Sequence, residues 1–238
     1  MTFYLGIDVG TGSARAGVFD ADGTLRGTAA HAIATHRPAP DFAQQSSAQI
    51  WAAVTAAVRG AVAAAGVPGE SIAGIGFDAT CSLVVTDAQD APVTVSPAGE
   101  PEQDVILWMD HRAIAEAQRI NAIGGAPLDH VGGVISPEME LPKLSWLKRA
   151  LPGSWARAAA FWDLPDWLVH RATGGDTRSL CSTVCKWTYL GHRGQQGEGW
   201  DDAFLRAIGL EDLATPGHAA LGARLAAPGS CCGGLDAR

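Results

Sequence analysis

Residues 3–20 read FYLGIDVGTGSARAGVFD, and this stretch decides the fold of the first part of the chain. Residues 3–9 are apolar and β-prone, and residues 14–20 alternate in the manner of a second strand. After an Ala-Asp-Gly turn, residues 24–33 have the pattern of a third strand. The sequence therefore predicts a β-meander whose first two strands are joined by a glycine-containing turn at residues 10–13.

This turn belongs to neither of the common glycine-rich nucleotide folds. Arg15 stands where the third glycine of G-x-G-x-x-G would be, and a strand rather than a helix follows the turn. The pattern G-x-x-x-x-G-K-[ST] occurs nowhere in the sequence, which excludes a P-loop kinase. The pattern G-x-S-x-G is also missing, which excludes the usual nucleophile turn of an α/β-hydrolase.

The side chains around the turn suit an anion and a metal ion. Glycine lets the backbone approach an anion closely, hydroxyl and N–H groups can donate to phosphate oxygens, and an arginine adds positive charge. Asp8, at the end of the first strand, suits Mg²⁺, because this ion accepts few carboxylates and keeps much of its water. An ordinary hairpin turn is the alternative. The predicted phosphate-binding residues are Gly10, Thr11, Gly12, Ser13 and Arg15.

The segments after the meander alternate between helical and strand patterns. Residues 48–65 have a helical apolar face behind a cap at Ser46 or Ser47, and residues 72–78 form an apolar strand. We therefore predict an α/β fold with a mixed sheet that starts as a meander and is flanked by helices. A hairpin is predicted from residues 83–86 and 93–95. Further helices are predicted at residues 112–123, 142–149, 164–171 and 201–208.

The composition excludes several classes of function. With 47% hydrophobic and 18% charged residues, the chain of 238 residues is neither disordered nor fibrous. Its net charge of −8 argues against bulk electrostatic binding of nucleic acid or of an anionic membrane. The apolar run at residues 50–67 contains Arg59, which argues against a membrane span. We therefore expect neither nucleic acid nor a membrane as a partner.

The cysteines and the N-terminus favour a reducing compartment. The cysteines are five in number, and their spacing offers no matching pairs of zinc ligands. Free thiols are typical of the cytosol. The first ten residues lack a basic start and reach Asp8 too early for a signal peptide. A cytoplasmic location is the expectation that follows.

The turn motif D-x-G-T-x-S-x-R at residues 8–15 resembles the first phosphate motif of the superfamily of sugar kinases, hexokinases, actin and heat-shock chaperones. Later segments narrow the resemblance to the FGGY family of carbohydrate kinases, and within it to pentulose kinases of the D-ribulokinase type. The resemblance runs from residue 3 to about residue 235. The segments that carry it are residues 45–51, 74–80 (GIGFDAT), 107–113 (LWMDHRA), 136–144 (SPEMELPKL), 161–168 (FWDLPDWL) and 185–189 (CKWTY).

The resemblance implies an α/β, ribonuclease-H-like fold. It identifies residues 1–238 as an FGGY N-terminal sugar-binding domain that is truncated relative to the family, with the C-terminal ATP-binding domain absent. The catalytic residue is then unknown in this chain, because the general base of the family is expected beyond Arg238.

The implied activity of the intact enzyme is the ATP-dependent phosphorylation of a ketopentose such as D-ribulose, with ATP and Mg²⁺ as cofactors. A xylulokinase or another sugar or polyol kinase of the family is the first alternative. A truncated fragment that binds sugar without catalysis is the second, and this chain alone is expected to be inactive. The partner is a small-molecule sugar, and a homodimer is compatible with these expectations.

The resemblance also implies a sugar pocket. An indole face can cover the apolar side of a sugar, and lysine or aspartate can hydrogen-bond its hydroxyl groups. Alternatives from the residues themselves are that Trp108 lies in the core, that Lys186 is a surface charge and that Asp78 closes a turn. The predicted substrate-binding residues are Asp78, Ala79, Thr80, Trp108, Asp110, His111, Arg112 and Lys186.

Overall fold

The computed structural model describes residues 1–236 and places ten β-strands and seven α-helices in that part of the chain. The strands are β1 (Phe3–Val9), β2 (Ser13–Asp20), β3 (Leu25–Ala32), β4 (Gln44–Gln45), β5 (Ile72–Ala79), β6 (Leu83–Thr86), β7 (Val105–Ile106), β8 (Ala160–Asp163), β9 (Arg178–Ser179) and β10 (Leu225–Ala226). The helices are α1 (Ser47–Ala65), α2 (Ile114–Ile123), α3 (Glu140–Ala150), α4 (Pro152–Arg157), α5 (Leu164–Thr173), α6 (Leu180–Trp187) and α7 (Asp202–Ala207).

The first sheet is mixed, with the strand order β3-β2-β1-β5. β1, β2 and β3 are antiparallel neighbours, whereas β5 returns parallel to β1 after α1. This arrangement confirms the predicted α/β class and the predicted meander. The register pairs Asp8 with Arg15 of β2 on one side and with Asp78 of β5 on the other. Three charged residues from three strands therefore share one end and one face of the sheet.

α1 covers the opposite face of this sheet. Side chains of β1 alternate between buried and exposed, and the buried set packs in the same core as Ile50 of α1. The helix and the sheet approach closely because β3 has glycine at position 27, where a Cβ atom would collide with the backbone of Ala61 and Ala65. The meander and α1 thus form one compact layer that holds the turn at residues 10–13 in place.

By length and composition alone, α1 would also suffice to span a membrane. In the structure its apolar face packs on the sheet, and Arg59 lies exposed on the other side. Ser46 caps its start by accepting a hydrogen bond from the Gln49 N–H at 3.3 Å, and Gly66 ends it in the left-handed region at φ 64°. We interpret α1 as a core helix.

A second sheet, with the order β4-β7-β6-β8, separates two hydrophobic cores. Val84 of β6 belongs to the core shared with α1, whereas Leu83 and Val85 face a second core built largely by the helices that follow. Because both faces are buried, β6 reads as a continuous apolar run rather than as an alternating strand.

The structure differs from the sequence prediction at one predicted strand and at one helix that was not predicted. Residues 93–95 do not form a strand, although the Val93 N–H does donate to the Val85 carbonyl oxygen at 3.0 Å. Pro92 lacks an N–H group, and the Val95 N–H turns instead to the Gln103 carbonyl oxygen at 2.8 Å, so no ladder continues. α6 was not predicted, because its short sequence LCSTVCKW contains β-branched residues and has fewer than three helical turns in which to show a period.

Candidate active site

The turn at residues 10–13 is tight and open to solvent. The Gly10 N–H donates to the Ser13 carbonyl oxygen at 3.0 Å and closes it. A Cβ atom built on Gly12 would have no protein atom within 4 Å, and one on Gly10 would have only ordinary contacts at 3.9 Å. The fold itself therefore tolerates side chains here. Glycine at these two positions leaves open space in which a bound group, such as the predicted phosphate, can approach the backbone.

Asp8 and Arg15 form the charged side of this turn. Arg15 Nη1 donates to Asp8 Oδ2 at 2.9 Å, and the two side chains are 51% and 60% exposed for Asp8 and Arg15. A ligand from solvent can therefore reach both groups. In the part of the chain that the structure describes, no three His, Cys, Asp or Glu residues gather into a metal cage. A half-exposed carboxylate fits Mg²⁺, which takes one or two carboxylates and completes its shell with water and phosphate oxygens.

Trp108 connects this turn to the predicted sugar pocket. Its indole Nε1–H donates to Thr11 Oγ1 at 3.1 Å, and Gln45 Nε2 holds the turn from behind by donating to the Thr11 carbonyl oxygen at 2.6 Å. Trp108 is only half-buried, so it is not a core residue. The indole thus lies at the boundary between the predicted phosphate site and the predicted sugar site.

The end of β5 lies beside the same turn. The Thr80 N–H donates to the Val9 carbonyl oxygen at 3.0 Å, and Ala79 is paired with Val9 across the two parallel strands. Asp78 is exposed on the face that it shares with Asp8. The structure therefore brings Asp78, Ala79 and Thr80 next to the turn at residues 10–13, and their role in sugar binding stays a prediction.

Asp110 and Arg112 require a correction. Both side chains are 0% exposed and form a two-point ion pair, in which Arg112 Nε and Nη2 donate to the two carboxylate oxygens at 2.8 and 2.7 Å. Asp110 also accepts the Ala43 N–H at 2.6 Å, and Arg112 lies over the rings of Phe42 and Trp146. These groups have no free surface for a sugar. They lie beneath the loop and hold it in place.

His111 and Lys186 are joined by a residue that the sequence analysis did not single out. His111 Nε2 lies 2.8 Å from Glu138 Oε1, and Lys186 Nζ donates to the Glu138 carbonyl oxygen at 3.5 Å. The side chains of His111 and Glu138 are partly exposed, so they can meet a ligand. Glu138 stands in the family-like segment at residues 136–144. No spacing rule within that segment marks it out.

A buried cluster of charged side chains lies near Lys186. Lys143 Nζ donates to Glu140 Oε1 at 3.2 Å, and both side chains are 0% exposed. Desolvation raises the pKa of Glu140 to about 8, and the nearby lysines Lys143 and Lys186 oppose that shift. Desolvation also raises the pKa of Asp163 to about 6 and that of Asp166 to about 7.

Four buried carboxyl groups predict how stability depends on pH. Desolvation raises their pKa values above the usual 3.8 to 4.5, to about 6 for Asp104 and Asp163, about 7 for Asp166 and about 8 for Glu140. The folded chain therefore binds more protons than the unfolded chain between about pH 4 and pH 8, and the free energy of unfolding should fall as pH rises through that window. Urea unfolding at several pH values measures this slope.

Glu140→Gln is the variant that tests the assignment. It removes the group with the highest raised pKa, so the decline in stability toward pH 8 should become shallower, whatever the absolute stability of the variant. Glu211→Gln is the control, because the pKa of this exposed carboxyl is lowered, mainly by its hydrogen bond to Lys148. A slope that is the same for Glu140→Gln and for the unmodified protein would contradict the prediction.

A groove beside β5 is a different feature. It has a volume of about 1060 Å³ and lies between β5, α5 and residues 226–235. It shares Asp78 and Ala79 with the predicted pocket, but neither Trp108 nor Lys186 lines it. We therefore place the candidate site where polar side chains converge, because volume alone gives no hydrogen-bonding specificity.

Comparison with known proteins identifies the family of this chain. The model of the N-terminal domain of the FGGY family of carbohydrate kinases matches residues 3–217. The chain is 49% identical over 237 residues to an FGGY carbohydrate kinase domain-containing protein of Danio rerio, covering 99% of this chain and 42% of that protein. It is 45% identical over 227 residues to a D-ribulokinase of Saccharomyces cerevisiae, covering 94% of this chain and 32% of that protein.

A solved structure extends the similarity to the fold. A xyloylose kinase from Brucella ovis superposes with a TM-score of 0.83 at 25% identity, covering 99% of this chain and 45% of that one. The chain thus spans less than half the length of these relatives. The neighbour confirms the predicted α/β fold of the sugar-kinase superfamily. Together with the family match over residues 3–217, these findings show that the chain belongs to the FGGY family of carbohydrate kinases.

Proposed function

We propose that this chain forms the sugar-binding and phosphate-facing part of a kinase that transfers a phosphoryl group from ATP to a ketopentose such as D-ribulose. The observation that carries the proposal is the hydrogen bond from Trp108 Nε1 to Thr11 Oγ1 at 3.1 Å. It joins the indole that we propose for the sugar site to the turn that we propose for the phosphate site. Phosphoryl transfer needs the acceptor hydroxyl and the phosphate held together, and this contact supports that arrangement.

Each side chain has a defined task in this proposal. Arg15 and the N–H groups of residues 11–13 hold phosphate oxygens, and Asp8 holds Mg²⁺. Magnesium, when bound, neutralises charge on the phosphates of ATP. The indole of Trp108 covers the apolar side of the sugar, and Lys186 donates to its hydroxyl groups. Glu138 and His111 add an acceptor and a donor at the rim of the pocket.

The general base is proposed outside the described residues. Asp110 is unsuitable, because Arg112 and the Ala43 N–H already occupy its oxygens. The resemblance puts the base of the family beyond Arg238, and we keep that position as the proposal. Asp78, which is exposed at the end of β5, is the alternative within the chain.

D-ribulose is the favoured substrate for a specific reason. The identity to a D-ribulokinase is 45%, whereas the identity to a xyloylose kinase is 25%. A pocket that differs by a few contacts discriminates such sugars by only about 1 to 3 kcal/mol, so a xylulokinase is the second candidate. The cytoplasmic location and the homodimer stay predictions.

Calorimetric titration of the chain with D-ribulose, D-xylulose and ATP tests the proposal. Trp108→Ala and Lys186→Met should weaken D-ribulose binding by about tenfold or more and leave ATP binding within about threefold, because both lie on the sugar side. Lys148→Met is the matched control, since this lysine pairs with Glu211 and Asp212 away from the site. Absence of sugar binding to the unmodified chain, or a loss equal for both ligands, would contradict the proposal.

A further inference from the structure

Asp163, the last residue of β8, is a buried carboxylate that the proposed chemistry does not use. It is 1% exposed, and its Oδ2 accepts the Trp187 Nε1–H at 3.0 Å. Trp187 is the last residue of α6 and directly follows Lys186. The carboxylate therefore holds the end of the helix that presents the lysine.

The strand that Asp163 ends also reaches the residues that follow β5, because Asp163 of β8 pairs with Leu83 of β6. Cys81 directly follows Thr80, and the next residue, Ser82, accepts the Trp108 N–H on its hydroxyl at 3.2 Å. The carbonyl oxygen of Ser82 in turn accepts the Leu164 N–H at 2.9 Å. Three separate parts of the proposed sugar wall thus meet at the junction of β8 and α5.

Asp166, one helical turn later, holds the other end of α6. Its Oδ1 accepts the Ser179 N–H at 2.7 Å, and its Oδ2 accepts the Ser182 hydroxyl at 3.5 Å. Ser179 is the residue immediately before α6. The helix has only 8 residues, so its own hydrogen bonds are too few to fix its position. Asp163 and Asp166, which both lie at the junction of β8 and α5, fix the two ends of α6.

Two lysines compensate the charge of the buried carboxylates near Asp163. Lys143 and Lys186 both stabilise the ionised form of Asp163, and the same two lysines stabilise ionised Glu140. Asp163 Oδ1 is buried and has no hydrogen-bond partner in the described part of the chain. Its charge is therefore offset by these two cations rather than by a direct hydrogen bond at that oxygen.

We propose that Asp163 is a positioning residue for the sugar pocket, which fixes Lys186 relative to the Thr80 turn because its side chain accepts the Trp187 hydrogen bond while its backbone pairs with Leu83 of β6. This inference rests on the proposed function, since it assumes that Lys186 meets the sugar. Binding groups must be held within about 0.5 Å of the productive geometry to act. The hydrogen bond from Trp187 to Asp163 holds the end of α6 in this way, and the loss of the Asp163 carboxylate releases that end.

The test compares Asp163→Ala with Asp163→Asn, whose amide oxygen can still accept the hydrogen bond from Trp187. Asp104→Ala is the matched control, because Asp104 is equally buried and accepts the Ser47 N–H at the start of α1. Hydrogen exchange of the α6 amides and calorimetric binding of D-ribulose and ATP are measured on the 238-residue chain.

For Asp163→Ala we expect α6 amides to exchange about tenfold faster or more and D-ribulose affinity to fall about tenfold, with ATP affinity unchanged. Asp163→Asn should recover most of both losses, and Asp104→Ala should leave both at the level of the unmodified protein. Unchanged α6 exchange in Asp163→Ala, or no recovery by Asp163→Asn, overturns the inference whether or not sugar binds. Absence of sugar binding to the unmodified chain counts against the proposed function alone.

Discussion

Asp8→Asn is expected to lower the turnover of a full-length kinase that contains this domain by about a hundredfold or more, since preorganised charge at a phosphoryl site contributes several kcal/mol. The half-exposed Asp8 carboxylate stands at the end of β1, beside the turn at residues 10–13. An amide of the same shape preserves the fold but removes the negative charge that attracts a hard cation. Arg15 would then lose the ion pair that it forms at 2.9 Å, although the amide oxygen can still accept its hydrogen bond.

The measurement is steady-state turnover with D-ribulose, ATP and Mg²⁺, together with the Mg²⁺ concentration that gives half-maximal rate. Asp22→Asn is the matched control, because Asp22 is an exposed carboxylate in the turn between β2 and β3, away from the site. We expect the control to keep the full rate. Turnover of Asp8→Asn close to that of the control would remove Asp8 from the phosphate and metal site.

Arg112→Leu is expected to destabilise the chain by about 3 to 5 kcal/mol, because it leaves Asp110 as an uncompensated buried charge. The ion pair is fully buried, and Arg112 also donates to the Val95 carbonyl oxygen at 3.0 Å. Leucine can fill part of the space between Phe42 and Trp146 but cannot donate. The loop that carries Trp108 should loosen with the fold, so sugar binding is lost through unfolding rather than through a missing contact.

Urea unfolding of the chain measures this effect. Arg206→Leu is the control, since Arg206 makes an exposed pair with Asp202 at 3.3 Å and should cost less than about 1 kcal/mol. An Arg112→Leu chain with unchanged stability and a selective loss of D-ribulose affinity would reverse our correction. It would restore Arg112 as a sugar contact.

Local patterns were sufficient for the parts of the fold that neighbouring residues build. The meander, α1 and β5 were predicted because alternation, a serine cap and apolar periodicity are properties of consecutive residues. α6 and the short strand β7 were not predicted. Two strand residues and 8 helix residues are too short to show a period, and their stability comes from the elements packed around them.

The α/β class, the glycine turn beside Asp8 and the segments typical of the family can all be recognised in the sequence. Which charged side chains are exposed at the candidate site is known only from the folded structure. Asp110 and His111 are adjacent in the sequence, yet one is buried in an ion pair and the other is exposed beside Glu138. Burial and pairing are set by residues far away in the chain, such as Ala43 for Asp110 and Trp187 for Asp163. No local pattern records such partners, because these hydrogen bonds form only when the chain folds and water is excluded from between them.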